Sequence, residues 1–165
     1  MLISLILLIL LLAAVVKKSY AIERDIVIDQ PAEKIFDYVK LLKNQEKYNV
    51  WVMRDPNVKI AYTGIDGTVG FISRWHGNKQ AGKGEQEIIE VVKNRYLKME
   101  LRFEEPFKNV GQTYLYTQAI SAHQTKVTWI MTGENKFPMS LINLFIDGLL
   151  GKDLQKSLLN LKQLF

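Results

Sequence analysis

The sequence predicts an α+β fold in which one antiparallel sheet of many short-linked strands is served by a single long helix at the C-terminus. Three observations carry this. From Tyr20 to Thr132, runs of residues alternate between apolar and polar, as strands with one dry face do. The turn signals between the runs are short, and short connections join antiparallel neighbours. From Pro138 to Phe165 the apolar period changes from two to three and four, the period of a helix.

Met1 to Val16 is apolar except for Ser4, and Lys17 and Lys18 close it. At about 1.5 Å per residue the run reaches about 24 Å, short of a hydrocarbon core of roughly 30 Å, which lysine stems extend by snorkelling. It is read as a transmembrane anchor over residues 1–18, with residues 1–16 meeting the membrane. A cleaved signal peptide ending at Ser19-Tyr20-Ala21 and a buried helix of the domain are the competing readings. Two lysines after the span place the domain, residues 19–165, on the cytoplasmic side of a single-pass membrane protein.

Ile22, Arg24, Ile26 and Ile28 alternate with Glu23, Asp25, Val27 and Asp29, which reads as the first strand. Asp29 to Glu33 is a helix start, with Asp29 or Gln30 near the cap and Pro31 in the first turn. Ile35, Phe36 and Val39 give this short helix its apolar face. A second helical piece covers Leu41 to Glu46, followed by an irregular connector through Asp55-Pro56-Asn57.

Six further strands are read at Val58 to Tyr62, Val69 to His76, Glu85 to Val92, Tyr96 to Phe103, Thr113 to Ile120 and Lys126 to Thr132. The clearest is Leu97, Met99, Leu101 and Phe103 set against Lys98, Glu100 and Arg102. In the final helix, Ile142, Ile146, Leu150, Leu154, Leu158, Leu161 and Phe165 form one stripe. Leu141, Phe145 and Leu149 form a second over its first half, which predicts burial there on nearly all sides. Gly148 and Gly151 each cost about 1 kcal/mol against alanine in a helix interior. Close approach to a strand, or space left for a ligand, would explain them.

A chain of 165 residues that is 48% hydrophobic suffices for one well-buried domain. Without cysteine it has no disulfide, thiol nucleophile or zinc–thiolate site. The net charge is +5, but after Lys17 and Lys18 there remain 20 basic against 17 acidic residues, scattered rather than gathered, so nucleic acid is not a favoured partner. Gly77 to Lys83 fits the first seven positions of a Walker A loop, yet Gly84 replaces the hydroxyl residue and a strand follows instead of a helix, so it reads as a hairpin. His76 and His123 lack partners at metal-ligand spacing, and no metal or cofactor is expected. No nucleophile signature is present. Glu85, Glu87 and Glu90 read as a solvated face rather than acid–base machinery. If chemistry occurs, Arg74, His76, Tyr114 and Tyr116 are the candidate polar groups, although spacing assigns no catalytic residue.

The strand ending at Ile28 and the following Asp29-Gln30-Pro31-Ala32-Glu33-Lys34-Ile35-Phe36 resemble the opening of the START-like, helix-grip (SRPBCC) superfamily, which includes polyketide cyclase/dehydrase and lipid-transport proteins. Gly70-Phe71 to Trp75, Thr125 to Trp129, Phe137-Pro138 and Gly151 to Lys162 agree with its bacterial members in order and spacing, so the resemblance covers the chain after Tyr20. Tyr48 stands where many members carry a tryptophan. The resemblance implies two short helices after the first strand and a curved sheet wrapped around the C-terminal helix, with a cavity between them. Trp51, Phe71, Trp75, Met99, Leu101, Phe103, Tyr114, Tyr116, Trp129, Met131, Phe145 and Leu149 are the residues expected to line it. The favoured function is binding or transport of a hydrophobic small molecule or lipid. A cyclase/dehydrase-type enzyme and a protein-interaction module with a filled core are the alternatives.

Overall fold

The computed structural model describes residue 11 and residues 13–165. Its seven strands are β1 (Ser19–Ile28), β2 (Lys59–Thr63), β3 (Ile72–His76), β4 (Lys83–Val92), β5 (Tyr96–Glu105), β6 (Asn109–Ser121) and β7 (Gln124–Glu134). They form one antiparallel sheet in the order β1-β7-β6-β5-β4-β3-β2. The alternation read from the sequence places six of the seven strands to within a few residues. β6 starts earlier than expected, because Asn109 to Gly111 continue the ladder with β5 and shorten the turn at Pro106.

Because β1 and β2 occupy opposite edges, the segment between them must cross one end of the sheet. It does so as α1 (Ala32–Val39), a 3-10 turn (Leu42–Lys47) and α2 (Val50–Met53). Ile35, Phe36 and Val39 bury the inner face of α1. A helix as short as α2 depends on tertiary support. The Asn49 side chain caps it by accepting from the Trp51 backbone N–H at 3.0 Å. Val50 N–H donates to Ser157 Oγ at 3.1 Å, and the Asn160 amide donates to the Tyr48 carbonyl at 3.2 Å, which moors this crossing to the C-terminal helix.

The stretch from Pro138 to Phe165 is two pieces rather than one helix. A 3-10 turn (Met139–Leu144) precedes α3 (Ile146–Lys162), and Phe145 breaks the helical path between them with φ −118° and ψ −2°. The break resets the phase of the apolar stripes. Leu154, Leu158 and Leu161 are fully buried in one core with Ile22, Ile28, Leu97, Leu115 and Val127. Phe145 and Leu149, expected inside, are instead 69% and 58% exposed. Register shifts at Ile88/Glu90 and Ala119/Ser121 add residues to one strand of a pair, and such bulges bend a sheet around what lies on it.

The membrane expectation is corrected. Among the described residues no helix is long and apolar enough to cross a membrane, so the single-pass localisation with a cytoplasmic domain is set aside. Residues 1–10 and 12, most of the run read as an anchor, lie outside the described residues. What is described of this segment is tied to the domain. Ala13 is buried, its carbonyl accepts from Ser140 Oγ at 2.8 Å, and the Asn143 amide donates to the carbonyls of Lys17 at 2.8 Å and Lys18 at 2.7 Å.

A cleft between the sheet and the C-terminal helix

Opposed residues on antiparallel strands share a face, so the register arranges the inner surface of the sheet in cross-strand rows. One row runs Trp75, Gly84, Phe103, Asn109. The next runs Ser73, Gln86, Leu101, Gly111, Gly133, Tyr20. Deeper lie Ile88, Met99, Thr113, Met131, Ile22, and then Leu97, Leu115, Trp129, Arg24. The second half of α3 fills the space over the deep rows. Over the outer rows none of the described residues fills it, and a cleft of about 1960 Å³ remains, roofed by Trp51, Val52, Ile142, Ile146 and Leu150.

Small residues make that room. A Cβ on Gly84 would meet the Trp75 indole at 2.7 Å, and one on Gly133 would meet the Tyr20 hydroxyl at 2.6 Å, so each glycine lets an aromatic ring lie flat on the sheet. Trp75 then meets Phe103 edge-on, with ring centres 5.8 Å apart, and its indole N–H donates to the Ala81 carbonyl at 3.1 Å. On the other side, Trp129 is packed edge-on by Tyr48 and Trp51. Its indole N–H donates to Thr113 Oγ at 2.7 Å, and Thr113 in turn donates to the Ile130 carbonyl at 2.9 Å. Tyr48 and Trp51 therefore converge on Trp129.

Six of the twelve expected lining residues stand at the cleft: Trp51, Trp75, Leu101, Phe103, Trp129 and Met131. Phe71 and Met99 are completely enclosed in the core beneath it. The other four are elsewhere. Phe145 and Leu149 point outward from α3 for the reason given above. Tyr114 and Tyr116 occupy the opposite parity of β6 from Thr113 and Leu115, so they lie on the outer face, stacked with centres 6.0 Å apart and flanked by Tyr96 and Lys98. Sequence reasoning missed the polar floor of the cleft, Tyr20, Ser73 and Gln86, and Gln45 and Asn49 beside it. The available signal was parity, since Gln86 alternates with Glu85 and Glu87 and shares a face with Ile88.

Among the described residues the charged groups stay off the inner walls of the cleft. The Arg102 guanidinium lies on the outer face, where it pairs with Glu85, Glu87 and Glu100, each at 2.6 Å. Hydrogen bonding to Arg102, reinforced by Arg74, holds the Glu85 carboxyl below the usual carboxylate range. Arg74 and His76, like Tyr114 and Tyr116, point outward, so none of the four candidate polar groups reaches the cleft. The charged side chains that border it, Lys17, Glu104, Glu105, Lys108, Glu134 and Lys136, are exposed at its open end. Burial pushes the Tyr20 phenol up, away from ionisation. Among the described residues no group of histidine, aspartate and glutamate is placed to hold a metal ion. The glycine-rich stretch from Gly77 is the β3–β4 connection, with Lys83 held by Glu104 at 2.6 Å.

The chain matches the family model described as polyketide cyclase / dehydrase and lipid transport over residues 20–165. No curated protein sequence matches it. Solved structures share its fold at low identity. Truncated norcoclaurine synthase from Thalictrum flavum superposes with a TM-score of 0.68 at 12% identity, covering 88% of this chain and 92% of that one. The Zhui aromatase/cyclase from Streptomyces sp. R1128 gives 0.65 at 9% identity, with coverages of 88% and 92%. Protein CV1439 from Chromobacterium violaceum gives 0.58 at 15% identity, with coverages of 87% and 95%. Norcoclaurine synthase has also been solved in complex with dopamine and hydroxybenzaldehyde. Sheet order, curvature and the C-terminal helix are those of the helix-grip fold, and the family match spans nearly the whole chain: it belongs to the polyketide cyclase/dehydrase and lipid transport family.

Proposed function

We propose that residues 19–165 form a domain that binds a hydrophobic small molecule or lipid between the curved sheet and α3. The observation that carries this is the cleft itself, about 1960 Å³ walled by Trp51, Trp75, Leu101, Phe103, Trp129 and Met131, with Ile142, Ile146 and Leu150 opposite. Apolar walls of that extent gain by exchanging water for an apolar ligand. The complex of norcoclaurine synthase with two small aromatic molecules supports the reading by analogy of fold. A module working only through its surface would have no use for so large an interior space.

Binding is favoured over acid–base catalysis because no carboxylate or imidazole reaches the cleft interior among the described residues. The Glu85 and Glu87 carboxylates are engaged by Arg102 on the other face. The test is uptake of the neutral probe N-phenyl-1-naphthylamine, together with solvent extraction of the purified protein. Saturable uptake is expected, and Leu101→Trp, which narrows the cleft at its wall, lowers it without loss of fold. An empty extract and no uptake would overturn the proposal.

A further inference from the structure

Gln86 is a carboxamide on the floor of the cleft. It is 7% exposed, and among the described residues its side chain makes no hydrogen bond. Its strand neighbours Glu85 and Glu87 are both engaged on the opposite face, so the register commits Gln86 to the interior. Beside it across the β3 pairing is Ser73, whose hydroxyl is likewise free of protein partners and borders the same space. Its amide atoms are not among the enclosed polar atoms that lack a partner, so they open onto the cleft, where water or a ligand supplies their bonds. Of its inward neighbours, Ile88 along the strand and Leu101 across it are hydrophobic, while Gly84 and Ser73 are small and leave it room. Packing alone would therefore be better served by leucine.

The surroundings also restrict what can bond to it. Among the described residues no cationic side chain enters the cleft, since Lys17, Lys108 and Lys136 are exposed at its mouth and Arg102 faces away. A carboxylate brought to Gln86 would lose its water and meet no counter-charge. A neutral oxygen would not suffer this, because a carboxamide donates to a carbonyl and both donates to and accepts from a hydroxyl.

Resting on the ligand-binding reading above, we propose that Gln86, with Ser73, is the polar anchor of the cleft. It selects uncharged apolar molecules bearing a carbonyl or hydroxyl oxygen over carboxylates of equal chain length. The rest of the row, Leu101, Gly111 and Gly133, offers the ligand body a smooth path toward Tyr20.

The test is displacement of N-phenyl-1-naphthylamine from the full chain by decan-1-ol, decane and decanoate at neutral pH, for wild type, Gln86→Leu and Ser73→Ala. In wild type, decanol displaces the probe at a concentration several-fold to about tenfold below that of decane, the worth of one neutral hydrogen bond. Decanoate is the weakest of the three. Gln86→Leu closes the gap between decanol and decane, each displacement being read against that variant's own probe affinity, and does not lower the melting temperature. Ser73→Ala narrows the gap, which keeps the test decisive if Gln86→Leu does not fold. Decanoate matching decanol, or a gap unchanged in both variants, overturns the anchor while binding stands. Absence of probe uptake in wild type overturns the binding reading itself.

Discussion

The guanidinium of Arg24 lies against Gly151, in the space a side chain there would fill, and its Nη2 donates to Asp147 Oδ2 at 2.9 Å. The glycine in α3 is thus explained by β1, which reaches across it. Hydrogen bonding to Arg24 also holds the Asp147 carboxyl below its ordinary range.

Gly148, three residues earlier, has open space where its Cβ would stand. The two glycines should therefore respond differently to alanine. Gly148→Ala is expected to stabilise the protein by up to about 1 kcal/mol through helix propensity. Gly151→Ala should gain little or nothing, because it displaces Arg24 from Asp147. Urea unfolding of the two variants measures the difference, and equal gains would mean that Arg24 does not rest on Gly151.

Leu158 is completely buried, whereas Leu149 is 58% exposed. Leu158→Ala should cost about 2–5 kcal/mol, and Leu158→Asp should abolish the cooperative melt, because a carboxylate would be buried without a partner. Leu149→Asp should change stability by no more than about 0.5 kcal/mol. Circular dichroism melting separates the three.

Trp129 depends on Thr113 for its indole hydrogen bond at 2.7 Å. Thr113→Val keeps the shape but orphans a buried donor, and should cost about 1–3 kcal/mol. Thr113→Ser retains the acceptor and should recover most of that loss. Denaturation followed by tryptophan fluorescence reports both stability and the local environment.

The Arg102 network gives a pH signature. Since the folded Glu85 carboxyl titrates below its unfolded value of about 4.3, its contribution is fully present above the unfolded value and is lost as pH falls through the folded one. The melting temperature should drop between about pH 5 and pH 3. Glu85→Gln should lower it at pH 7 by the equivalent of about 1 kcal/mol or less, given the solvent screening of a partly exposed network, and should flatten the acid slope.

Where alternation was strong, in Leu97, Met99, Leu101 and Phe103, the sequence revealed both the strand and its inner face. It misled at β6, where bulky Tyr114 and Tyr116 face outward and small Gly111 and Thr113 face the cleft, an inversion of the usual size pattern. Tyrosine tolerates that position because its ring packs on neighbours while its hydroxyl meets water. At Phe145 the helical period was present but its phase was not, since one non-helical residue rotates everything before it. The polar floor was unreadable from hydrophobicity, because Gln86 and Ser73 look like surface residues until their register is known.

The pairing of β1 with β7 sets Ile28 opposite Thr125 and Ser19 opposite Glu134, joining the start of the domain to its last strand. Loop closure over that distance is a slow, entropically opposed step. During synthesis β1 and the two helices after it have no sheet to join until Glu134 has left the ribosome, and until then the edge of β7 is also incomplete. Folding should accordingly be limited by this long-range zipping. A circular permutant that opens the chain between α2 and β2 and joins residue 165 to residue 1 would leave only α3 and the leading segment between β7 and β1, a shorter loop than the present one, and should fold faster at similar stability.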